Sequence, residues 1–325
     1  MESVVVLQGA DAPPGMAAVE RLAKVTYVRE ADLAGALQDA DALFMWDFWS
    51  DALASAWPRE GGPSWVHIAS AGVDRLLFPR LVEGDTIVTN SRGIFDEPIA
   101  EYVLALVLCF AKDLHTTIGL QHRREWRHRE TERSDGKSAL VVGTGPIGRA
   151  IGRRLTAGGL RVTGMGRTAR ASDPDLGTVL PMEALHEALG SNDYVVLAAP
   201  LTDVTRGMID AAALARMRPG ARLINVGRGQ LVIEDDLIEA LRANVIAGAA
   251  LDVFATEPLA GSSPLWELPN VIVSPHMSGD TIGWRQELVD LFADNLGRRR
   301  EGLPLRNVVD KRLGYVPHQP LEEQT

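Results

Sequence analysis

The sequence predicts an α/β fold with parallel sheets, divided between two domains. Three observations predict it. Short apolar runs alternate with alanine-rich helical patterns, the arrangement that lays helices over parallel strands. A glycine loop, Gly143-Thr144-Gly145-Pro146-Ile147-Gly148, joins one such run to a helical pattern. The chain of 325 residues is long enough for two separate cores.

Composition narrows the function classes. With 46% hydrophobic and 23% charged residues the chain reads as soluble and globular. A net charge of −10 argues against nucleic acid as a partner, since such a surface needs a basic patch. The nearest thing to one, His122-Arg123-Arg124-Glu125-Trp126-Arg127-His128-Arg129, is interrupted by an acid and reads as an exposed or subunit-facing helix. The single cysteine, Cys109, continues the apolar helical pattern Tyr102–Leu108 and is expected to be a buried core thiol. One cysteine gives no disulfide framework, which suits a reducing cytoplasm. No basic-then-apolar leader and no run of membrane-spanning length is present, so neither export nor a membrane partner is expected.

In chain order, strands are expected at Ser3–Leu7, Val25–Val28, Ala42–Met45, Val66–Ala69 and Thr86–Val88. A long helix follows from Asp96-Glu97-Pro98, with Pro98 in its first turn and Asp96 as its cap. The second α/β unit starts with the apolar strand Ser138–Val142. Its glycine loop allows a tight turn, close approach to a pyrophosphate and close helix packing: Gly143, Gly145 and Gly148 are therefore cofactor-binding candidates. The helix N-terminus beyond offers N–H groups and a positive dipole end to phosphate. Arg161–Met165 is the next strand. An acid there would take the ribose hydroxyls of NAD, but the chain gives Gly166-Arg167-Thr168-Ala169-Arg170, with no carboxylate before Asp173. Arg167, Thr168 and Arg170 suit a 2′-phosphate instead, so NADP(H) is preferred and NAD(H) is possible. Further strands are expected at Asp193–Leu197, Ala221–Asn225, Val245–Ala249 and Asn270–Val273, and a loosely ordered tail from Gly314.

Ligands of open parallel sheets bind beyond the carboxyl ends of the strands. There the sequence sets Arg228 in Asn225-Val226-Gly227-Arg228-Gly229, Asp252 and Glu257 in Asp252-Val253-Phe254-Ala255-Thr256-Glu257-Pro258, and His276 in Ser274-Pro275-His276. Singly, each would read as a loop residue; together, after successive strands and a dinucleotide loop, they form an acid–base and anion-binding set.

These motifs, in this order, closely resemble the D-isomer-specific 2-hydroxyacid dehydrogenases. The resemblance extends over essentially the whole chain, including Ala69-Ser70-Ala71-Gly72-Val73-Asp74 and the helix from Glu97. The arginine loop is most similar to that of the NADPH-preferring glyoxylate/hydroxypyruvate reductases. The resemblance implies two Rossmann-like/flavodoxin-like domains with parallel sheets and an interdomain active-site cleft. Residues 1–95 plus 285–325 would form a discontinuous substrate-binding domain, and residues 96–284 the dinucleotide-binding domain. It implies reversible, NADPH-dependent reduction of a small 2-keto acid to a D-2-hydroxy acid, by a homodimer.

By position, the resemblance makes Arg228 the anchor of the substrate carboxylate, His276 the acid–base group and Glu257 its orienting partner. Backbone around Ala71, Gly72 and Val73 would grip the carboxylate. Pro146 and Ile147 would meet the pyrophosphate, Pro200 and Thr205 the adenosine side. Val226, Gly227, Asp252, His276 and Ser278 would line the nicotinamide end, with Asp252 accepting from its carboxamide. Ser278 departs from the commoner His-x-Ala-Gly pattern. Trp46, in Met45-Trp46-Asp47-Phe48-Trp49, is the candidate aromatic wall of the substrate site, with Trp284 next.

The other histidines carry less. His67 lies in an apolar strand and is expected to be a satisfied core residue; His115, His122, His128, His186 and His318 read as surface. No metal-ligand spacing appears, and no Gly-x-Ser-x-Gly elbow of a serine hydrolase. Formate dehydrogenase shares the implied fold, but Glu257 argues against it because formate oxidation has no alkoxide to protonate. A dinucleotide-sensing regulatory protein of the same fold is the alternative from another class. Turnover with 2-keto acids distinguishes the two.

Overall fold

The computed structural model describes residues 1–317. The chain divides into two compact units, Met1–Ile94 with the chain from Thr281 onward, and Phe95–Asp280. The divisions thus fall at Ile94/Phe95 and Asp280/Thr281, rather than at 95/96 and 284/285.

The first unit carries strands β1 (Glu2–Leu7), β2 (Ala23–Val28), β3 (Ala42–Met45), β4 (Trp65–Ile68) and β5 (Ile87–Thr89). They form one parallel sheet in the order β2-β1-β3-β4-β5, the flavodoxin-like arrangement. Short helices α1 (Ala17–Leu22), α2 (Glu30–Ala36), α3 (Leu53–Ala56) and α4 (Pro79–Glu83) connect them. The buried runs of β1, β3 and β4 explain why these strands read as continuous apolar stretches: both faces are covered.

The second unit opens with α5 (Asp96–Ala111) and α6 (Leu114–Arg123). Phe95 precedes the helix, so Asp96 is its first residue and not its cap; its charge still suits the positive helix end. The basic segment is helical only to Arg123. Arg124 is left-handed, ending the helix, and Trp126 beyond it is fully exposed. Strands β6 (Ser138–Val142), β7 (Arg161–Gly166), β8 (Arg170–Asp173), β9 (Gly177–Pro181), β10 (Tyr194–Leu197), β11 (Arg222–Asn225), β12 (Gly248–Leu251) and β13 (Val271–Val273) form one sheet. Its order is β13-β12-β11-β10-β6-β7-β9-β8. Helices α7 (Pro146–Ala157), α8 (Leu185–Leu189), α9 (Ala211–Arg216) and α10 (Glu234–Arg242) belong to this unit, and α11 (Trp284–Arg300) to the first. The order reverses at β6/β10, which makes the carboxyl ends there the expected ligand crevice.

Three readings are corrected. The sheet is not wholly parallel: β8 and β9 pair antiparallel at its edge, β8 being a short polar strand that no apolar run announces. Strand β12 starts at Gly248 and not Val245, because Val245 N–H closes the end of α10 on Ala240. The chain near Gly314 is tied down, with Asp310 and Tyr315 bridged and Gly314 N–H donating to Asp310. The remainder of the expected loose tail, with His318, lies outside the described residues.

Among the described residues no single helix is long and apolar enough to cross a membrane. Cys109 is half-buried on α5, not in the core, and burial pushes its thiol up. His115 is not a surface residue: its ring packs edge-on against Phe110 and burial lowers its pKa. His67 is fully enclosed, with Thr89 Oγ1 2.8 Å from Nδ1 and Ser91 Oγ 3.3 Å from Nε2.

Candidate active site

Three consecutive strand ends of the second unit build the candidate site. After β11, Asn225 folds the loop that carries Arg228: its side-chain amide donates to the Arg228 carbonyl (2.9 Å) and its Oδ1 accepts from Gly227 N–H (3.1 Å). Arg228 itself donates from Nη1 to the Gly227 carbonyl at 2.8 Å. Gly229 lets this loop touch the next: a Cβ there would lie 1.8 Å from the Phe254 carbonyl carbon. After β12 come Asp252 and Glu257. Glu257 accepts from Phe254 N–H at 2.9 Å through Oε1, and its Oε2 lies 2.9 Å from His276 Nδ1.

The pairing sets protonation. Burial pushes the Glu257 carboxyl up, but the His276 hydrogen bond and charge, the Phe254 N–H and the Arg228 charge outweigh it. The carboxyl is held below its ordinary value, so Glu257 is an acceptor and His276 Nδ1 the donor. Nδ1 is thereby committed to Glu257.

His276 adopts a left-handed conformation, φ 53°, unusual for a residue with a side chain and found where surroundings hold it. Asp252 does the holding. Its carbonyl accepts from His276 N–H (2.8 Å). Its carboxylate, almost fully enclosed, accepts from Ser274 Oγ (2.6 Å), Met277 N–H (3.0 Å) and Ser278 N–H (2.9 Å). Sequence reasoning assigned Asp252 to the cofactor and missed this clasp, along with Asn225, Gly229 and Ser274. Asn and Asp directly after apolar strands were the available signal.

The glycine loop fits a dinucleotide. Gly143, at φ 117°, turns the chain where a Cβ would strike the Ala198 carbonyl oxygen at 2.5 Å. A Cβ on Gly148 would lie 1.8 Å from the Gly143 carbonyl oxygen, so α7 presses on the loop. Gly145 alone meets nothing within 4 Å. The protein therefore does not need glycine there for its own packing, but a ligand approaching the backbone does. Pro146 starts α7 and has no N–H, leaving Ile147 as the first donor of the helix end. Thr205 is nearly buried, and its hydroxyl closes the turn on the Pro200 carbonyl (2.7 Å). Val226, Gly227 and Ser278 are buried beside the strand ends.

Beyond β7, Arg167 and Thr168 are exposed. Arg170 begins β8; its Nε lies 2.9 Å from Asp173 Oδ2 as an ion pair without hydrogen-bond alignment, and its enclosed Nη2 has no hydrogen-bond partner. Asp173 is not placed to serve a ribose: it is buried and bound by both Arg149 nitrogens at 2.9 Å.

In the first unit, Ala71, Gly72 and Val73 follow β4. Asn90 donates to the Ala71 carbonyl and Ser70 to the Gly72 carbonyl, both at 2.6 Å, which fixes the loop. Trp46 does not form an exposed wall. It is 7% exposed, with Nε1 donating to the Asp11 carbonyl at 3.0 Å. The exposed aromatic of that segment is Trp49, with the Arg75 guanidinium 5.7 Å from its ring centre. Trp284 opens α11 under Arg285, 5.6 Å away.

Comparison with known proteins places this geometry. Residues 104–278 match the family described as D-isomer specific 2-hydroxyacid dehydrogenase, NAD binding domain. The chain is 30% identical over 282 residues to glyoxylate/hydroxypyruvate reductase A of Serratia proteamaculans, covering 85% of this chain and 88% of that protein. A D-isomer specific 2-hydroxyacid dehydrogenase from Xanthobacter autotrophicus, solved in complex with NADPH and MES, superposes with a TM-score of 0.79 at 31% identity, over 97% of this chain and 99% of that one. An NADPH-dependent glyoxylate/hydroxypyruvate reductase from Sinorhizobium meliloti, solved with NADP and sulfate, gives 0.79 at 27% identity, over 97% and 100%. With the family match running through the glycine loop and all three strand-end loops, this chain belongs to the D-isomer specific 2-hydroxyacid dehydrogenase family of oxidoreductases.

Proposed function

We propose that the chain reduces a small 2-keto acid to the D-2-hydroxy acid, and runs the reverse reaction, with NADPH as the preferred reductant. The observation that carries the reading is the Glu257–His276 ion pair, 2.9 Å long, at neighbouring strand ends with the Arg228 charge acting on it. Such a pair supplies a proton to an oxygen that becomes an alkoxide, and a guanidinium beside it suits a carboxylate. The relatives named above, among them glyoxylate/hydroxypyruvate reductases and structures holding NADP(H), support the same chemistry.

When bound, the reduced nicotinamide supplies the hydride. The chain's own residues do the rest. His276 donates a proton from Nε2 to the keto oxygen, while Glu257 takes the Nδ1 hydrogen bond, fixes the ring and stabilises its positive charge. Arg228 holds the keto-acid carboxylate and polarises the carbonyl. Ala71, Gly72 and Val73 hold the carboxylate through backbone N–H groups. Gly143, Gly145, Pro146, Ile147 and Gly148 receive the pyrophosphate, and Pro200 and Thr205 shape the adenosine side. Val226, Gly227, Asp252 and Ser278 shape the nicotinamide end. Arg167, Thr168 and Arg170 recognise the 2′-phosphate. A homodimer in the cytoplasm completes the proposal, supported by the resemblance and the single cysteine.

The test is kcat/KM for glyoxylate, hydroxypyruvate and larger 2-keto acids with each cofactor. NADPH should exceed NADH by at least about tenfold, the worth of one charge-assisted phosphate contact. His276→Ala should lose at least about a hundredfold in kcat with NADPH affinity nearly unchanged. Absence of turnover with every keto acid, or equal use of NADH, would sink the reading.

A further inference from the structure

An ion cluster beside the glycine loop reaches from the dinucleotide helix to the arginine expected at the 2′-phosphate. Asp173, the first carboxylate after β7, is at its centre. Its side chain is 2% exposed. Oδ1 accepts from Arg149 Nη1 (2.9 Å) and from the backbone N–H groups of Asp175 (3.1 Å) and Leu176 (3.3 Å). Oδ2 accepts from Arg149 Nη2 (2.9 Å) and faces Arg170 Nε, also at 2.9 Å. Arg149 lies in the first turn of α7 and reaches Asp175 Oδ2 as well, at 3.0 Å. Gly152 allows the contact, since a Cβ there would strike the Asp175 carbonyl oxygen at 2.3 Å. The β8–β9 hairpin is therefore pinned to α7 through Asp173 and, at its turn, Asp175, and Arg170 is the first residue of that hairpin.

We infer that Asp173 is a specificity-determining, positioning residue for NADP(H): it holds Arg170 where its guanidinium meets the 2′-phosphate. The inference rests on the NADPH reading given above. Two guanidinium groups flank one carboxylate, each within 2.9 Å of it. With the anion in place they are held together; without it, like charges face one another and the exposed end of the cluster, Arg170, is driven from its place. The Arg170 side chain is about a third exposed, so the guanidinium reaches the surface while its Nε faces Asp173. Asp173 stays charged throughout: burial raises its carboxyl, but the Asp175 N–H and the Arg149 and Arg170 groups outweigh this and hold it below its ordinary value. No carboxylate stands at the end of β7 itself, where an acid takes the ribose hydroxyls in an NAD site.

The test is calorimetric titration of the full chain with 2′,5′-ADP and with 5′-AMP, which differ only in the 2′-phosphate. A wild-type protein without preference for 2′,5′-ADP would overturn the NADPH reading itself. If the preference is present, Asp173→Asn should lower it at least fivefold, through weaker 2′,5′-ADP binding with 5′-AMP binding within twofold of wild type. Unchanged 5′-AMP binding also shows that the glycine loop is folded. Arg149→Gln approaches the cluster from the helix side and serves if the Asn variant does not fold. It leaves the carboxylate under-neutralised beside the phosphate and should lower the preference by the same measure. A preference that falls less than fivefold in the folded variant, or that rises, overturns the inference.

Discussion

At the residue scale, the proposed chemistry rests on one carboxylate and one imidazole. Glu257 is enclosed enough that burial opposes its charge, yet its partners keep it ionised. A charged hydrogen bond of this kind contributes about 1.5–3 kcal/mol. Glu257→Gln keeps the shape and removes the charge that favours the protonated, proton-donating enzyme. Keto-acid reduction by this variant should therefore fall at least about tenfold in kcat, with NADPH binding nearly unchanged. A kcat equal to wild type would make Glu257 a spacer. Glu257 and His276 were legible in the sequence because each follows a recognisable strand. The left-handed backbone of His276 and the Asp252 clasp beneath it were not. They arise from contacts between residues about twenty-five positions apart.

At the scale of elements, the glycine loop and α7 separate binding from folding. Gly148 is pressed against the loop by the protein itself, whereas Gly145 faces open space with a φ of −75° that alanine also adopts. Gly145→Ala should therefore leave the thermal midpoint within a degree or two, yet weaken NADPH binding at least about tenfold, because the new methyl group stands where the pyrophosphate approaches. Gly148→Ala should lose both, with overpacking costing about 1–3 kcal/mol. Thermal unfolding and cofactor titration of the two variants check this. Equal stability losses would mean that neither glycine is kept for a ligand. The β8–β9 hairpin was invisible by contrast, since both strands are short, β8 is polar and the turn between them needs Gly177 at φ 63°.

At the scale of the whole molecule, the two units face acid differently. In the first, His67 is fully buried and burial lowers its pKa from 6.5 to about 3. Ser91 Oγ donates to the Ile68 carbonyl at 3.0 Å and so accepts from His67 Nε2, which leaves Nδ1 to accept from the Thr89 hydroxyl and the ring neutral. The unfolded chain takes up this proton near pH 6.5 and the folded unit does not until about pH 3. Stability is thus full above pH 6.5 and falls as pH drops through that window, by roughly 2 kcal/mol at pH 5. In the second unit the shifted carboxylates Asp173, Asp193 and Glu257 are held below their ordinary values. Their stabilisation persists above the ordinary carboxylate range, about pH 4, and is lost only as pH falls through the lowered folded values. Denaturant unfolding at pH 7 and pH 5 should show the first unit weakening more than the second, where the lowered pKa of half-buried His115 gives a smaller loss of the same sign. His67→Gln should remove the pH 5 loss. A wild-type first unit equally stable at both values would contradict this.

The sequence by itself determined the α/β class, most of the strands, the dinucleotide loop and the strand-end positions of Arg228, Glu257 and His276. These are local signals: an apolar run covered on both faces, a glycine spacing, and a polar loop that must follow each strand. Only the tertiary structure decided which groups each side chain meets. Trp46 turned inward to Asp11 while Trp49 stayed exposed, although both stand in one aromatic stretch. Asp173 was drawn into a buried pairing with Arg149, 24 residues away along the chain. The reason is physical: a buried charge or indole N–H must find a partner, and the packing of whole elements, not the neighbouring residues, decides which partner is within reach.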